Sequence, residues 1–119
     1  MIEFKFKKAY EEIMINDQLY TIDFSDEAIM GYQKKFNEFY QKYQALQTKE
    51  EQDTEFTEAK ELMSEVVNAI LGENKFDILY LESGKSLYNM MDLVEVLSGL
   101  IGDKVENIRE KNRQKYVGK

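Results

Sequence analysis

The side chains able to do chemistry here are carboxylates, lysines, serines and tyrosines, because the 119-residue chain contains no His and no Cys. Their absence removes the usual proton shuttle at neutral pH, the soft metal ligands and the commonest strong nucleophile. Ser64, Ser83, Ser86 and Ser98 therefore have no imidazole to activate them. Glu58, Glu61 and Glu65 share one face of a helical segment, as the carboxylates of a metal site would. The Glu-x-x-His pair of di-metal bundles has no counterpart, so they read as a solvated acidic ridge. Asp17, Asp23 and Asp26 are too few and too spread for an EF-hand loop. Gly84-Lys85-Ser86 matches only the last three letters of a phosphate-binding loop, with Leu79 where the upstream glycine belongs. We assign no catalytic, cofactor-binding or metal-ligating residue, and the inventory reads as that of a binding protein rather than an enzyme.

Charge narrows the partners. The 23 acidic and 16 basic side chains leave a net charge of −7, unevenly spread. After Asp103 the acids are Glu106 and Glu110, against Lys104, Arg109, Lys111, Arg113, Lys115 and Lys119. The body is therefore strongly acidic, which argues against nucleic acid as a partner. A basic helix end also gains from the C-terminal macrodipole without any ligand. No segment approaches the roughly 20 apolar residues needed to span a bilayer, and the first eight residues lack an apolar signal region. The expectation is a soluble, intracellular protein that does not enter a membrane.

The elements that must position any binding surface follow from periodicity. Ile2, Phe4 and Phe6 alternate with Glu3, Lys5 and Lys7, the period-2 pattern of a half-buried strand. Tyr20, Ile22 and Phe24 repeat it, and Asn16-Asp17 supplies a tight turn after Ile13-Met14-Ile15. This predicts a hairpin, with Met1–Lys8 as a candidate third strand of a meander. Ser25-Asp26-Glu27 then opens a helix to about Gln47, with Ile29, Tyr32, Phe36, Phe39, Tyr40, Tyr43 and Leu46 in one stripe. The stretch Thr48–Thr54 carries no apolar residue and breaks the register. A second helix follows from about Glu55 to Leu71, with the inner arc Phe56, Ala59, Leu62, Met63, Val66, Val67 and Ile70, and with Gly72 at its C′ position.

Lys75–Leu81 is expected to be a short helix, with a strand as the alternative, and Ser83-Gly84-Lys85-Ser86 a turn. The last helix starts near Leu87 and carries apolar residues over more than roughly 200° of its circumference. It is either central to the domain or has a second face for a partner. Val105, Ile108, Asn112 and Tyr116 continue in phase, so it should run through Gly99 and Gly102. The fold class is thus α+β: an N-terminal antiparallel hairpin or three-stranded meander followed by a bundle of three to four helices. One domain covers 1–119, divided into a small sheet (1–24), a helical part (25–103) and a basic helical tail (104–119).

The run Ile15-Asn16-Asp17-Gln18-Leu19-Tyr20-Thr21-Ile22-Asp23-Phe24-Ser25-Asp26, the aromatic amphipathic helix, the charged break and the helix end Ala69-Ile70-Leu71-Gly72-Glu73 together resemble the tail assembly chaperones of tailed phages and prophages of Gram-positive bacteria. The resemblance implies a protein that coats the long helical tape measure protein until tail tube subunits polymerise around it. It further implies a homo-oligomer in the cytoplasm of the bacterial host, absent from the mature virion. On that basis an apolar groove for the tape measure helix is placed at Tyr88, Met91, Val94, Leu97 and Ile101. Two other classes stand beside it: a structural tail or neck component, and a small prophage-encoded regulatory binding protein.

Overall fold

The computed structural model describes the backbone of residues 1–46 and 52–117, and the side chains of 1–46 and 55–113. Its described elements are β1 (Tyr10–Ile15), β2 (Gln18–Asp23), α1 (Asp26–Leu46), α2 (Gln52–Leu71), α3 (Lys75–Glu82) and α4 (Leu87–Val117). The α+β class is as expected, a two-stranded antiparallel hairpin ahead of four helices. Helix α2 begins three residues before Glu55, and the polar stretch Thr48–Glu51 lies outside the described residues.

Asn16 and Asp17 take φ values of 50° and 66°, so both central residues of the two-residue loop are left-handed. That is the geometry whose twist matches paired strands, and Asn and Asp adopt it at low cost. The register sets Ile13 opposite Tyr20 and Glu11 opposite Ile22. Tyr20 and Ile22 are buried and β2 lies against α2, leaving β1 as the outer strand. The expected third strand does not form, so the sheet is confined to Tyr10–Asp23. Met1–Lys8 has no regular structure, the chain bends at Ala9, and Ile2, Phe4 and Phe6 are exposed. The physical reason is local. Between Met1 and Tyr10 there is no Gly, Asn, Asp or Pro to reverse the chain onto the outer edge of β1.

Short polar side chains and left-handed residues fix the described helix ends. The Asp23 carboxylate accepts from the Ser25 N–H at 2.8 Å, and Ser25 Oγ accepts from the Ala28 N–H at 3.3 Å, capping α1. Helix α2 ends at Gly72, whose φ of 121° an L side chain adopts only under strain. Asn68 on α2 reaches across that corner, its Oδ1 accepting from the Phe76 N–H at 2.8 Å in the first turn of α3. Gly84 and Lys85 are both left-handed, and Ser86 Oγ caps α4 by accepting from the Asn89 N–H at 3.1 Å. Gly84-Lys85-Ser86 is therefore the corner between α3 and α4.

Helix α4 is the central element. Met90, Val94, Leu97 and Ile101 recur at steps of four, three and four residues, and all are buried against the other three helices. Phe39 of α1, Met63, Val66 and Val67 of α2, and Phe76 of α3 complete that core. From the tail, Lys104 Nζ lies 5.3 Å from the ring centre of Phe24, so one of its cations packs on the body. Among the described residues no helix is long and apolar enough to cross a membrane.

Two consequences are measurable. A Cβ built at Gly99 or Gly102 meets nothing within 4 Å, and α4 runs unbroken through both. Gly99→Ala and Gly102→Ala should therefore each add about 1 kcal/mol to the urea unfolding free energy, from helix propensity alone. The second concerns alkaline pH. Burial, and then the charge of Glu82, raise the Tyr20 phenol above its ordinary value. Burial and then Asp23 raise that of Tyr32, partly opposed by a hydrogen bond to the Asp23 backbone. Folding thus favours the neutral phenols. Their contribution is complete below the ordinary value of 10.0 and lost as pH rises through the folded values. Urea midpoints followed into alkaline solution should fall over that window, and fall less in Tyr32→Phe.

Candidate functional site

Among the described residues, three helices frame an apolar recess. The start of α2 and the start of α4 diverge beside the end of α1, forming a cleft of about 530 Å³. Ala59 and Met63 of α2 are buried at its base, with Met91 of α4 half-buried beside them. Tyr43 of α1 and Leu87 of α4 also line it. Phe56 projects from α2 with 65% of its surface exposed, and Tyr88 from α4 with 81%. Glu55 is the one acidic residue in the lining.

The chemistry available in such a cleft is dispersion, desolvation, the phenolic hydroxyls of Tyr43 and Tyr88 and the Glu55 carboxylate. Aromatic rings on opposing helices over a thioether base suit a helix face or an extended apolar segment. Methionine adapts its shape to different side chains at little cost. Both rims expose large apolar surface to water in the isolated chain, which costs free energy that a partner would recover.

The five residues of the expected groove are divided by the structure. Tyr88 and Met91 line the cleft. Val94, Leu97 and Ile101 do not offer a surface to a partner, since Val94 and Leu97 are 0% exposed and Ile101 2% within the protomer's own core. A groove drawn through all five is thus corrected to its first two members. Helical geometry explains the division. Each three-residue step falls about 60° short of a full turn, so Tyr88, Met91, Val94 and Leu97 wind roughly halfway round α4. The first faces solvent while the last faces the core.

Sequence reading assigned Tyr43 and Phe56 to inner helical stripes. Phe56 opens its arc three residues, less than a full turn, before the first buried member, Ala59. A terminal apolar residue ahead of the core is the available signal. A second groove of about 310 Å³ separates α1 from the later part of α4, where Tyr40 Oη donates to Ser98 Oγ at 3.2 Å. It is crossed by that hydrogen bond and edged by Glu106 and Arg109, so it lacks the apolar rims of the first.

Among the described residues, no group of three or more His, Cys, Asp or Glu side chains is placed to hold a metal ion. On α2, Glu61 and Glu65 are exposed, and Lys60 Nζ sits 4.3 Å from the ring centre of Tyr80. Comparison with protein-family models, curated proteins and solved structures yields no significant match.

The cleft's rims and base differ in what they hold together, and thermal or urea unfolding separates them. Phe56→Ser and Tyr88→Ser, being largely exposed, should each change stability by no more than about 0.5 kcal/mol. Met63→Ala should cost about 2–5 kcal/mol, because it empties the base where α2 meets the core.

Proposed function

We propose that this protein is a tail assembly chaperone that binds the helical tape measure protein of a tailed phage or prophage and keeps it soluble until the tail tube forms around it. The single observation that carries the reading is the cleft between α2 and α4, with exposed Phe56 and Tyr88 on opposite rims. A tape measure helix would lay apolar side chains spaced three, four and seven residues apart between those rings. Met63 and Met91 would adjust to successive segments of differing sequence, as a chaperone of one long chain requires. The acidic exterior, at a net charge of −7, would keep the coated complex dispersed. In this reading the protein acts as several copies in the bacterial cytoplasm, meets the tail tube protein only as it displaces the chaperone, and leaves before the virion matures.

Co-expression with the tape measure protein of the same phage or prophage, followed by size-exclusion chromatography, tests it. The long helical protein should stay soluble and co-elute with the wild-type chain. It should precipitate beside the folded Phe56→Ser/Tyr88→Ser variant. Separate migration of the two wild-type proteins would end the chaperone reading.

A further inference from the structure

Met1–Lys8 is built like a strand and has no strand beside it. The rings of Phe4 and Phe6 meet edge to face with centroids 4.9 Å apart. Lys5 Nζ lies 3.6 Å from a Glu3 carboxylate oxygen. Contacts between residues two apart, apolar with apolar and charged with charged, are the alternation a sheet uses. Yet Phe4 is 75% exposed and Phe6 89%.

The protein also carries an acceptor for such a strand. The Phe24 N–H donates to the Ala9 carbonyl at 2.8 Å, which makes Ala9 and Phe24 a hydrogen-bonded pair. In an antiparallel ladder such pairs alternate, so the backbone groups of Glu11, Ile13 and Ile15 face β2. Those of Tyr10, Glu12 and Met14 point outward from the edge of β1, unpaired in the two-stranded sheet. Ile13 and Ile15 are only half-buried beside that edge. From Tyr10 to Phe24 the hairpin holds four carboxylates, Glu11, Glu12, Asp17 and Asp23, and no basic side chain. The arm holds Lys5, Lys7 and Lys8 against Glu3.

We infer that two copies of this chain associate by reciprocal strand exchange, the arm Met1–Lys8 of each adding antiparallel to the outer edge of β1 in the other. The exchange is between copies because a single copy cannot make it. Only Ala9 separates the arm from β1, and no residue before Asn16 among the non-glycine residues has the positive φ of a tight hairpin turn. Two acidic β1 edges repel one another, whereas a lysine-bearing strand is attracted, so charge selects the arm over the edge. The alternation allows Lys5 or Lys7 opposite Glu12 on the outer face; we take the register with Lys5 opposite Glu12, which sets Phe4 opposite Ile13, where it extends the core. Phenylalanine buries roughly 150–250 Å² of surface, so two arms with three large apolar side chains each, plus what they cover, exceed the roughly 1,000 Å² of a specific interface. Reciprocity closes the pair as a two-fold dimer.

Light scattering coupled to size exclusion on the full chain and two variants tests this. Deleting residues 2–8 leaves an edge without an arm. Glu12→Pro leaves an arm without an edge, since it removes an outward N–H that an edge strand can spare. The wild type should show twice the protomer mass, and each variant alone the protomer mass with its circular dichroism retained. An equimolar mixture of the two should regain the dimer mass through its one intact arm-and-edge contact. Should proline disturb the hairpin, charge reversal serves in its place. Lys5→Glu and Glu12→Lys should each raise the dimer dissociation constant several-fold, and the double reversal should restore it. A monomeric wild type, an arm deletion that keeps the wild-type mass, or a double reversal no better than its singles would overturn the inference. The outcome is independent of whether a tape measure protein is bound, because none of these substitutions touches the cleft.

Discussion

The stripe Met90, Val94, Leu97 and Ile101 has to be taken out of water, and α4 can do so only by lying among the other helices at once. Burying four such side chains contributes on the order of 1.5–3 kcal/mol each, more than any cap or turn in the chain. That demand sets where everything else goes. Phe39 and Tyr43 of α1 are stacked, with ring centroids 5.4 Å apart, on one side of it. Val66 and Val67 of α2 close another side, and α3 brings in Phe76. The hairpin is peripheral to this arrangement, joined through Tyr20 and Ile22 on β2, which is why β1 is left at an edge.

The corners from α2 to α3 and from α3 to α4 must let α4 reach that position without proline, of which the chain has none. They do so with left-handed residues and short polar side chains. Asn74 at φ 67° and Lys85 at φ 55° reverse the chain where glycine precedes them at Gly72 and Gly84. Asn68 serves two elements together, since its Nδ2 donates to Ser64 Oγ at 3.2 Å while its Oδ1 holds the start of α3. Asn89 does the same at the next corner, its Nδ2 donating to the Ser83 carbonyl at 3.0 Å. Backbone groups that would otherwise be orphaned at helix ends are thereby paired, as their desolvation cost requires.

Features set by near neighbours in sequence were legible in it. The turn at Asn16-Asp17, the caps at Ser25 and Gly72, the stripe of α1 and the run of α4 through two glycines all depend on dihedral preference or periodicity within a few residues. What escaped was set by distant neighbours. The apolar arc of α4 was visible, but which part of it faces inward depends on where α1 and α2 pack, so Val94 and Leu97 were assigned to a partner surface. The cleft needed Tyr43, Phe56 and Tyr88 from three helices to be brought together. The arm shows the converse: its alternation predicts a strand that does not form within the protomer, because nothing between Met1 and Tyr10 turns the chain back onto β1.

The two apolar surfaces left in water differ in the kind of partner they can select. A cleft recognises side chains by volume and desolvation, and with Met63 and Met91 at its base it tolerates many sequences that share an apolar helical face. The outer edge of β1 recognises backbone, and backbone pairing is indifferent to sequence until register is imposed, because a slip of one residue exchanges the two faces of the incoming strand. Ile13 on one face and Glu12 on the other favour that register, taking an apolar and a basic side chain at adjacent positions. The arm meets that requirement with Phe4 and Lys5, so the edge suits a copy of the same chain while the cleft suits a long and variable one. The two proposed contacts therefore call on separate surfaces, so a self-contact at the β1 edge would not compete with a foreign contact in the cleft.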